Sequence, residues 1–268
     1  MAAPSTASGP VRAAGAPDPT RTPGGPRGAR VADHGITLHD AITAERWTAN
    51  GTVKVAGAVD VGSADVAGTV SVAGGLTADA FRARGTLEVD GPVRVQELFL
   101  VRGDARCGGG LRSGDLTIDG TVRVEGPVTV DRTLSLDGTL HAPSVSAGVL
   151  EAVGAMVVPG EVRGATVIAE LRRASALGSV VARHVRLRGH VPNVVDKVFF
   201  HLEPVTVGRV EADGVELTGV DVAFVRAKEI VLGRDAHVTA LEGTVVRRHP
   251  SSSVGPRSRS PPPYGLRR

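Results

Sequence analysis

The sequence predicts an all-β protein: a single-stranded parallel β-helix, wound as a triangular solenoid with a coil of about 17–18 residues and flanked by disordered tails. Three observations predict this fold: a motif that recurs at a fixed interval, an apolar–polar alternation inside each repeat, and terminal segments rich in Pro, Gly and Arg. Composition agrees, because 35 glycines and an aromatic content of only 3% favour many short strands and tight turns.

The recurring motif is Gly-Thr followed by two alternating aliphatic residues. "GTVKVAG" begins at Gly51 and returns as "GTVSVAG" at Gly68, "GTLEVDG" at Gly85 and "GTVRVEG" at Gly120. The full set of restarts is almost evenly spaced and comprises Gly51, Gly68, Gly85, Gly103, Gly120 and Gly138. A nearly constant period of this size is typical of a stacked repeat architecture.

Each period contains three smaller units. From Gly120 onward, apolar pairs separated by one residue recur at six-residue steps: Val122 and Val124, Val128 and Val130, then Leu134 and Leu136. Such alternation has the strand period of two, so each coil should place three short strands around a core. The predicted core ladder comprises Val53, Val55, Val70, Val72, Leu87, Val89, Val122, Val124, Leu134 and Leu136.

The chain divides into four predicted parts. Residues 1–33 form a disordered tail, 34–50 a lead-in or N-terminal cap, 51–245 the β-helix, and 246–268 a second disordered tail. After Met156 the valine alternation is expected to continue in six-residue steps, with an irregular break near 190–204.

Charge is concentrated in the terminal segments. Residues 1–30 carry a net charge of +3 and residues 247–268 carry +6, which leaves −6 for the body of the chain. A nucleic-acid-binding protein more often places its basic residues on the folded surface, so no specific nucleic-acid partner is predicted.

Several other classes of function find no support in the sequence. One cysteine, Cys107, allows neither an intrachain disulfide nor a zinc cluster, and no residue able to activate it as a nucleophile can be named. His184 and His190 are six residues apart, but two independent surface histidines are favoured over a metal site. We therefore predict no catalytic, cofactor-binding or metal-binding residues, and no cofactor. No apolar run reaches the length of a membrane span and the first thirty residues lack a secretory h-region, which predicts a cytoplasmic protein.

Two alternatives to a structural protein remain open. Hexapeptide acyltransferases also use a triangular β-helix, but their pattern has one aliphatic residue per six, whereas two per six recur here. A monomeric solenoid that acts as a binding module would need capped ends. These alternatives predict a finite oligomer or a monomer, whereas an uncapped solenoid should associate through its ends.

The Gly-Thr-Val repeats, their six-residue subperiod and the Pro-rich tails resemble the bactofilins, a family of polymer-forming cytoskeletal proteins. The resemblance covers about residues 51–245. It implies a right-handed solenoid that assembles end to end into filaments without nucleotide, with a scaffolding role in cell shape or envelope organisation. The partner would be a second copy of the chain, and the basic tails could contact anionic membrane surfaces or envelope proteins.

Four apolar residues are candidates for the polymerisation or cap surfaces. Trp47 precedes the first predicted coil, and Val245 lies in the last one, before Pro250 ends strand pairing. Phe199 and Phe200 lie in the irregular break, where they would form either a bulge packed on the coil or a contact patch for another subunit.

Overall fold

A computed structural model describes residues 30–172, 175–189 and 205–256 of the chain. These residues form a parallel β-solenoid of about 12 turns, and no helix occurs among them. The predicted fold class is therefore confirmed. Within the described ranges, no helix is long and apolar enough to cross a membrane.

Fourteen strands follow one another along the described parts of the chain. Their bounds are β1 Arg30–His39, β2 Ile42–Val55, β3 Val59–Val72, β4 Leu76–Val89, β5 Val93–Cys107, β6 Leu111–Val124, β7 Val128–His141, β8 Val145–Leu171, β9 Ala176–Val181, β10 His184–Gly189, β11 Val205–Thr218, β12 Val220–Leu232, β13 His237–Arg248 and β14 Ser253–Val254. Each strand pairs in parallel with the next, except that β9 and β10 together form the coil between β8 and β11. Most strands run through two corners, so one strand accounts for nearly a whole coil.

Burial along a strand shows how the sequence forms the coil. Strand β2 buries three apolar pairs, each separated by one outward residue. They are Ile42 and Ala44, Trp47 and Ala49, and Val53 and Val55. Each pair lies on one side of the triangle, and the residues between pairs make the corners. Stacking at about 4.8 Å then places equivalent pairs above one another as continuous ladders.

Coils between Gly51 and Gly138 have two lengths that differ by a single residue, and the difference has a local cause. In β2 the first corner contains two residues, because Trp47 follows Ala44 by three positions. In β5 the same corner contains three residues, between Val95 and Phe99, and the pairing with β6 shows a register shift there. The longer coils therefore carry one extra residue at a single corner, in the manner of a β-bulge.

In the second half of the chain the prediction of six-residue steps is wrong. Strand β11 pairs with β12 so that Val205 lies opposite Val220, a shorter offset than that between Val53 and Val70 in the first half. The first buried residue on each side of the triangular coil recurs every five positions: Val205, Val210, Val215, Val220, Val225 and Ile230. The corners of these coils contain two residues rather than three, so the valine alternation is kept while each coil is shorter.

One corner of the first eight coils is lined by glycines, here called the glycine ladder: Gly35, Gly51, Gly68, Gly85, Gly103, Gly120, Gly138 and Gly154. All have positive φ, between 79° and 149°. From Gly51 onward, a Cβ on any of them would collide with the carbonyl oxygen of the glycine one coil earlier. The motif begins with glycine because both the backbone conformation and the close approach of coils require it.

The solenoid extends beyond the predicted boundaries at both ends. Its first described strand begins at Arg30, so β1 and β2 occupy the last four residues of the predicted tail and most of the predicted lead-in, and its last strands end at Arg248 and Val254. At the break, β10 ends at Gly189 and β11 begins at Val205. Residues 1–29, 173–174, 190–204 and 257–268, including Phe199 and Phe200, lie outside the described residues.

Candidate assembly surfaces

Among residues 30–172, 175–189 and 205–256, strand edges without a neighbour occur at the two ends of the solenoid. Along its length, each coil is hydrogen-bonded to the coils before and after it. Within the described residues, strand β1 pairs only with β2, and β13 pairs with β14 only through His237 and Val238. Open strand edges present backbone donors and acceptors to any chain that can pair with them. The ends are therefore the candidate functional surfaces.

The N-terminal coil has an inverted pattern of polar and apolar residues. Strand β1 lies over β2 with Thr37 opposite Val53 and His39 opposite Val55, so polar side chains occupy inward positions. Its outward residues Ile36 and Leu38 are 84% and 74% exposed. This end of the core is consequently covered by polar groups and by Val31, which lies opposite Trp47 and packs against the core.

A buried carboxylate lies at the centre of this polar coil. Asp33 is 5% exposed and is the one buried acidic residue in the described part of the chain. The Trp47 indole Nε1 donates a hydrogen bond to Asp33 Oδ2 at 2.8 Å, and His39 Nε2 lies 2.9 Å from Asp33 Oδ1. A carboxylate removed from water needs such partners. The bond from Trp47 also joins β1 to β2, whereas His39 lies on β1 itself.

The candidate Trp47 lies beneath β1 rather than at an exposed end of the solenoid. Its side chain is fully buried, and its ring lies 6.2 Å from that of Phe81 in an edge-to-face arrangement. Between these aromatic residues the ladder contains Ala64, whose small side chain leaves room for the two rings to meet. Phe81 makes a similar contact with Phe99, at 5.8 Å. The aromatic residues of the first coils thus form a core stack that begins beneath β1.

The C-terminal coil presents an apolar and largely open end. Val245 is 37% exposed and Val246 is 62% exposed, and both lie on β13 beyond the two residues that β14 covers. Val254 of β14 is 40% exposed at the same end. Among the described residues, positions 239–248 have no strand on their outer edge. The predicted candidate Val245 is therefore found at an exposed end of the solenoid.

Charged residues lie on β13 together with two of these valines. Arg226 Nε donates to Glu242 Oε2 at 2.6 Å, and this hydrogen bond lowers the pKa of the Glu242 carboxyl. Arg248 Nη2 donates to the carbonyl oxygen of Ser252 at 3.2 Å, which ties the end of β13 to the following turn. The last coil therefore combines exposed valines with charged groups, and both kinds of side chain occur in many protein interfaces.

The ten residues of the predicted core ladder are all buried. They lie on more than one ladder, because Val122 stacks on Ala105 whereas Leu134 stacks on Leu116. The first of these ladders continues through Leu87 and Val70 to Val53.

Cys107 lies inside the solenoid, in the ladder between Val89 and Val124. Its side chain is fully buried, and burial raises the pKa of the thiol to about 12. A thiol held in its protonated form is a poor nucleophile. The thiol therefore packs as a small apolar side chain.

The polar side chains on the described flanks of the solenoid form no metal-binding cluster. No group of three or more His, Cys, Asp or Glu side chains within them is arranged to hold a metal ion. Near His184, a shallow groove contains Arg186 and Glu216, but Arg186 Nε donates to Glu216 Oε2 at 2.7 Å, so these charges neutralise each other. His190, the other histidine of the candidate pair, lies outside the described residues.

Sequence reasoning missed Asp33, which it placed at the end of a disordered tail. A signal for the first coil was nevertheless present, because Gly35 precedes Gly51 by nearly one coil length and continues the glycine ladder. The inverted alternation in "GITLH" concealed it, since the residues at inward positions are polar.

Comparisons of the chain with protein-family models, with curated proteins and with solved structures found no match.

Proposed function

We propose that this protein is a non-enzymatic structural scaffold that self-assembles end to end into filaments without nucleotide. The observation that carries the proposal is the C-terminal end, where an open strand edge coincides with the exposed side chains of Val245 and Val246. An edge of this kind favours pairing with another chain, and a parallel solenoid extends by adding further parallel coils.

The lateral surface supports the same proposal. Its charged side chains form exposed ion pairs between neighbouring coils, such as Arg106 with Glu125 and Arg132 with Asp115. Exposed pairs of this kind contribute little to stability and keep a surface well hydrated. A rod with hydrated sides and an apolar end associates through the end.

The proposed setting is cytoplasmic, with a cytoskeletal or envelope-organising role, as the resemblance of the repeats to bactofilins implies. The Arg-rich terminal segments, residues 1–29 and 257–268, would bind anionic membrane surfaces or envelope proteins by charge attraction. Such segments would connect a filament to its surroundings while the solenoid provides its length.

Negative-stain electron microscopy of the purified full-length chain, in physiological salt without nucleotide, tests the proposal. We expect filaments whose width is that of a single solenoid. Val246→Glu places a charge at the C-terminal end and should abolish them. Val153→Glu, at a side chain 39% exposed on the flank, is the matched control and should assemble normally. Loss of filaments in both variants, or in neither, would contradict assembly through this end.

A second candidate function is a monomeric binding module, and the polar N-terminal coil is the observation that favours it. Thr37, His39 and Asp33 cover one end of the core in the way that terminal repeats cap other solenoids. A chain that stays monomeric at high concentration, both as wild type and as the Asp33→Ala variant, would favour this module over the scaffold.

A further inference from the structure

Strand β1 gains little from burial. Of its ten residues only Asp33 is buried, whereas β2 buries six side chains. Ile36 and Leu38 face solvent in a register that places Thr37 and His39 over the core, and Val31 is the one apolar residue of β1 that packs against it, partly buried. Elements with few buried apolar contacts open at the lowest free energy, so β1 is the part of the N-terminal end that is most easily released.

Three kinds of contact hold β1 in place, the first being the packing of Val31, partly buried opposite Trp47, against the core. The backbone pairs with β2 over ten positions, and Asp33 bonds to Trp47. The Asp33–Trp47 bond connects the strand to the core through a side chain, and the His39 contact with the same carboxylate fixes the far end of the strand. Asp33 therefore acts as a latch.

Release of β1 would uncover a surface that complements the other end of the molecule. Beneath it lie Trp47 and the inward pair Val53 and Val55, which are the apolar ends of ladders. The freed edge of β2 is the one that faces a preceding coil, and the open edge of β13 is the one that faces a following coil. A β13 strand from a second copy would therefore meet β2 in the same parallel sense as every other pair in the solenoid.

We infer that β1 is a detachable cap that gates self-assembly: when β1 is bound the N-terminal end is closed, and when it is released β2 accepts the C-terminal coil of a second copy. This inference rests on the proposed scaffold function and adds that the filament has two different ends. Because the two joined surfaces differ, the contact is heterologous and repeats without closing, which produces a polar filament.

A reversible disulfide between β1 and β2 tests the gate in the full-length chain. Ala32 and Thr48 are exposed and lie directly opposite each other. Neighbouring strands are about 4.8 Å apart, within the Cα separation of about 4.4–6.8 Å that a disulfide spans. The double variant Ala32→Cys/Thr48→Cys should lock β1 when oxidised, and Cys107 is buried and will not interfere.

The matched control places the same bond in the middle of the solenoid. Thr69 and Thr86 are exposed partners on β3 and β4. Elongation is followed by light scattering, with filament lengths from electron microscopy. We expect the oxidised Ala32→Cys/Thr48→Cys protein to lose measurable elongation, because every head-to-tail contact needs one N-terminal end from which β1 has been released. Reduction should restore elongation, and the oxidised control should behave as wild type.

Two further measurements separate a gate from a merely structural role. A small fraction of locked protein mixed with wild type should shorten filaments, because a locked copy can add through its C-terminal end and then accept no other. Asp33→Ala should accelerate elongation of the reduced, full-length chain. If it lowers thermal stability but leaves elongation unchanged, the latch role is refuted.

The outcomes distinguish the gate from the scaffold function on which it rests. Normal elongation of the locked protein would overturn the gate and leave the scaffold function intact. Locked protein that forms discrete pairs would show that two C-terminal ends meet each other, which contradicts the head-to-tail contact. If wild type stays monomeric but Asp33→Ala assembles, the gate is supported; if neither assembles, both proposals fall.

Discussion

Replacing one member of the glycine ladder should destabilise the solenoid far more than a glycine-to-alanine change does elsewhere. Gly120 has φ of 136°, a conformation that side-chain-bearing residues rarely adopt. A Cβ at this position would also collide with the carbonyl oxygen of Gly103 in the preceding coil. Gly120→Ala therefore introduces both backbone strain and a steric overlap.

The magnitude follows from these two contributions. Holding a non-glycine residue in such a region of φ and ψ costs about 1–3 kcal/mol. Separating two coils that are fixed by hydrogen bonds on both sides is comparable to overpacking a core, which costs about 1–3 kcal/mol. We expect Gly120→Ala to lower the free energy of unfolding by about 2–6 kcal/mol in total.

The assay is urea denaturation monitored by far-ultraviolet circular dichroism, with Gly214→Ala as the matched control. A Cβ on Gly214 would meet only His184 Nδ1, at 3.6 Å, which is ordinary van der Waals contact. This control should therefore be neutral, or more stable by about 0.4–1 kcal/mol through the unfolded state. Equal behaviour of the two variants would refute the argument that the ladder requires glycine.

Three other predictions concern the core. Val124→Asp should lower the free energy of unfolding by several kcal/mol, because the carboxylate is buried without partners, whereas Arg123→Asp on the outer side of the same strand should change it little. Native Cys107 should not react with a thiol reagent at about pH 8, where its pKa of about 12 keeps it protonated, but should react once the chain is unfolded in denaturant. Because this folded pKa exceeds the unfolded value of about 8.5, the stability that the thiol contributes is full below about pH 8.5 and is lost as pH rises towards 12, and Cys107→Val should remove this loss. Trp47→Phe keeps an aromatic ring in the stack but removes the hydrogen-bond donor to Asp33. This change should lower the free energy of unfolding by about 1–3 kcal/mol while the core stays packed. An unchanged melting temperature would show that the bond is not needed.

The fold was accessible from the sequence because a parallel solenoid repeats its local chemistry. Each ladder glycine recurs for the same backbone reason, and residues such as Val53, Val70 and Leu87 recur because stacked coils place them in the same environment. An alternation with a period of two then indicates which side chains face inward. Local pattern and tertiary position coincide in this architecture, so periodicity alone predicts the core.

Corner length was less accessible, because it depends on how neighbouring coils fit together. Steps of five and six residues both keep the alternation, and no single residue distinguishes them. The extra residue after Val95 becomes visible as a bulge only when β5 is aligned with β6. Likewise, the shorter offset that places Val205 opposite Val220 results from successive short corners that must match from coil to coil.

The sequence by itself determined the class of fold, the inward residues of the central coils and the absence of any recognisable catalytic motif. Only the tertiary structure decided which residues form the ends. Trp47 could be exposed or buried depending on whether a coil precedes it, and Asp33 becomes a buried hydrogen-bond acceptor only because β1 folds over β2. End residues lack the repeated environment that makes the central coils predictable, since each has a neighbour on one side alone, and their burial is therefore a property of the assembled chain.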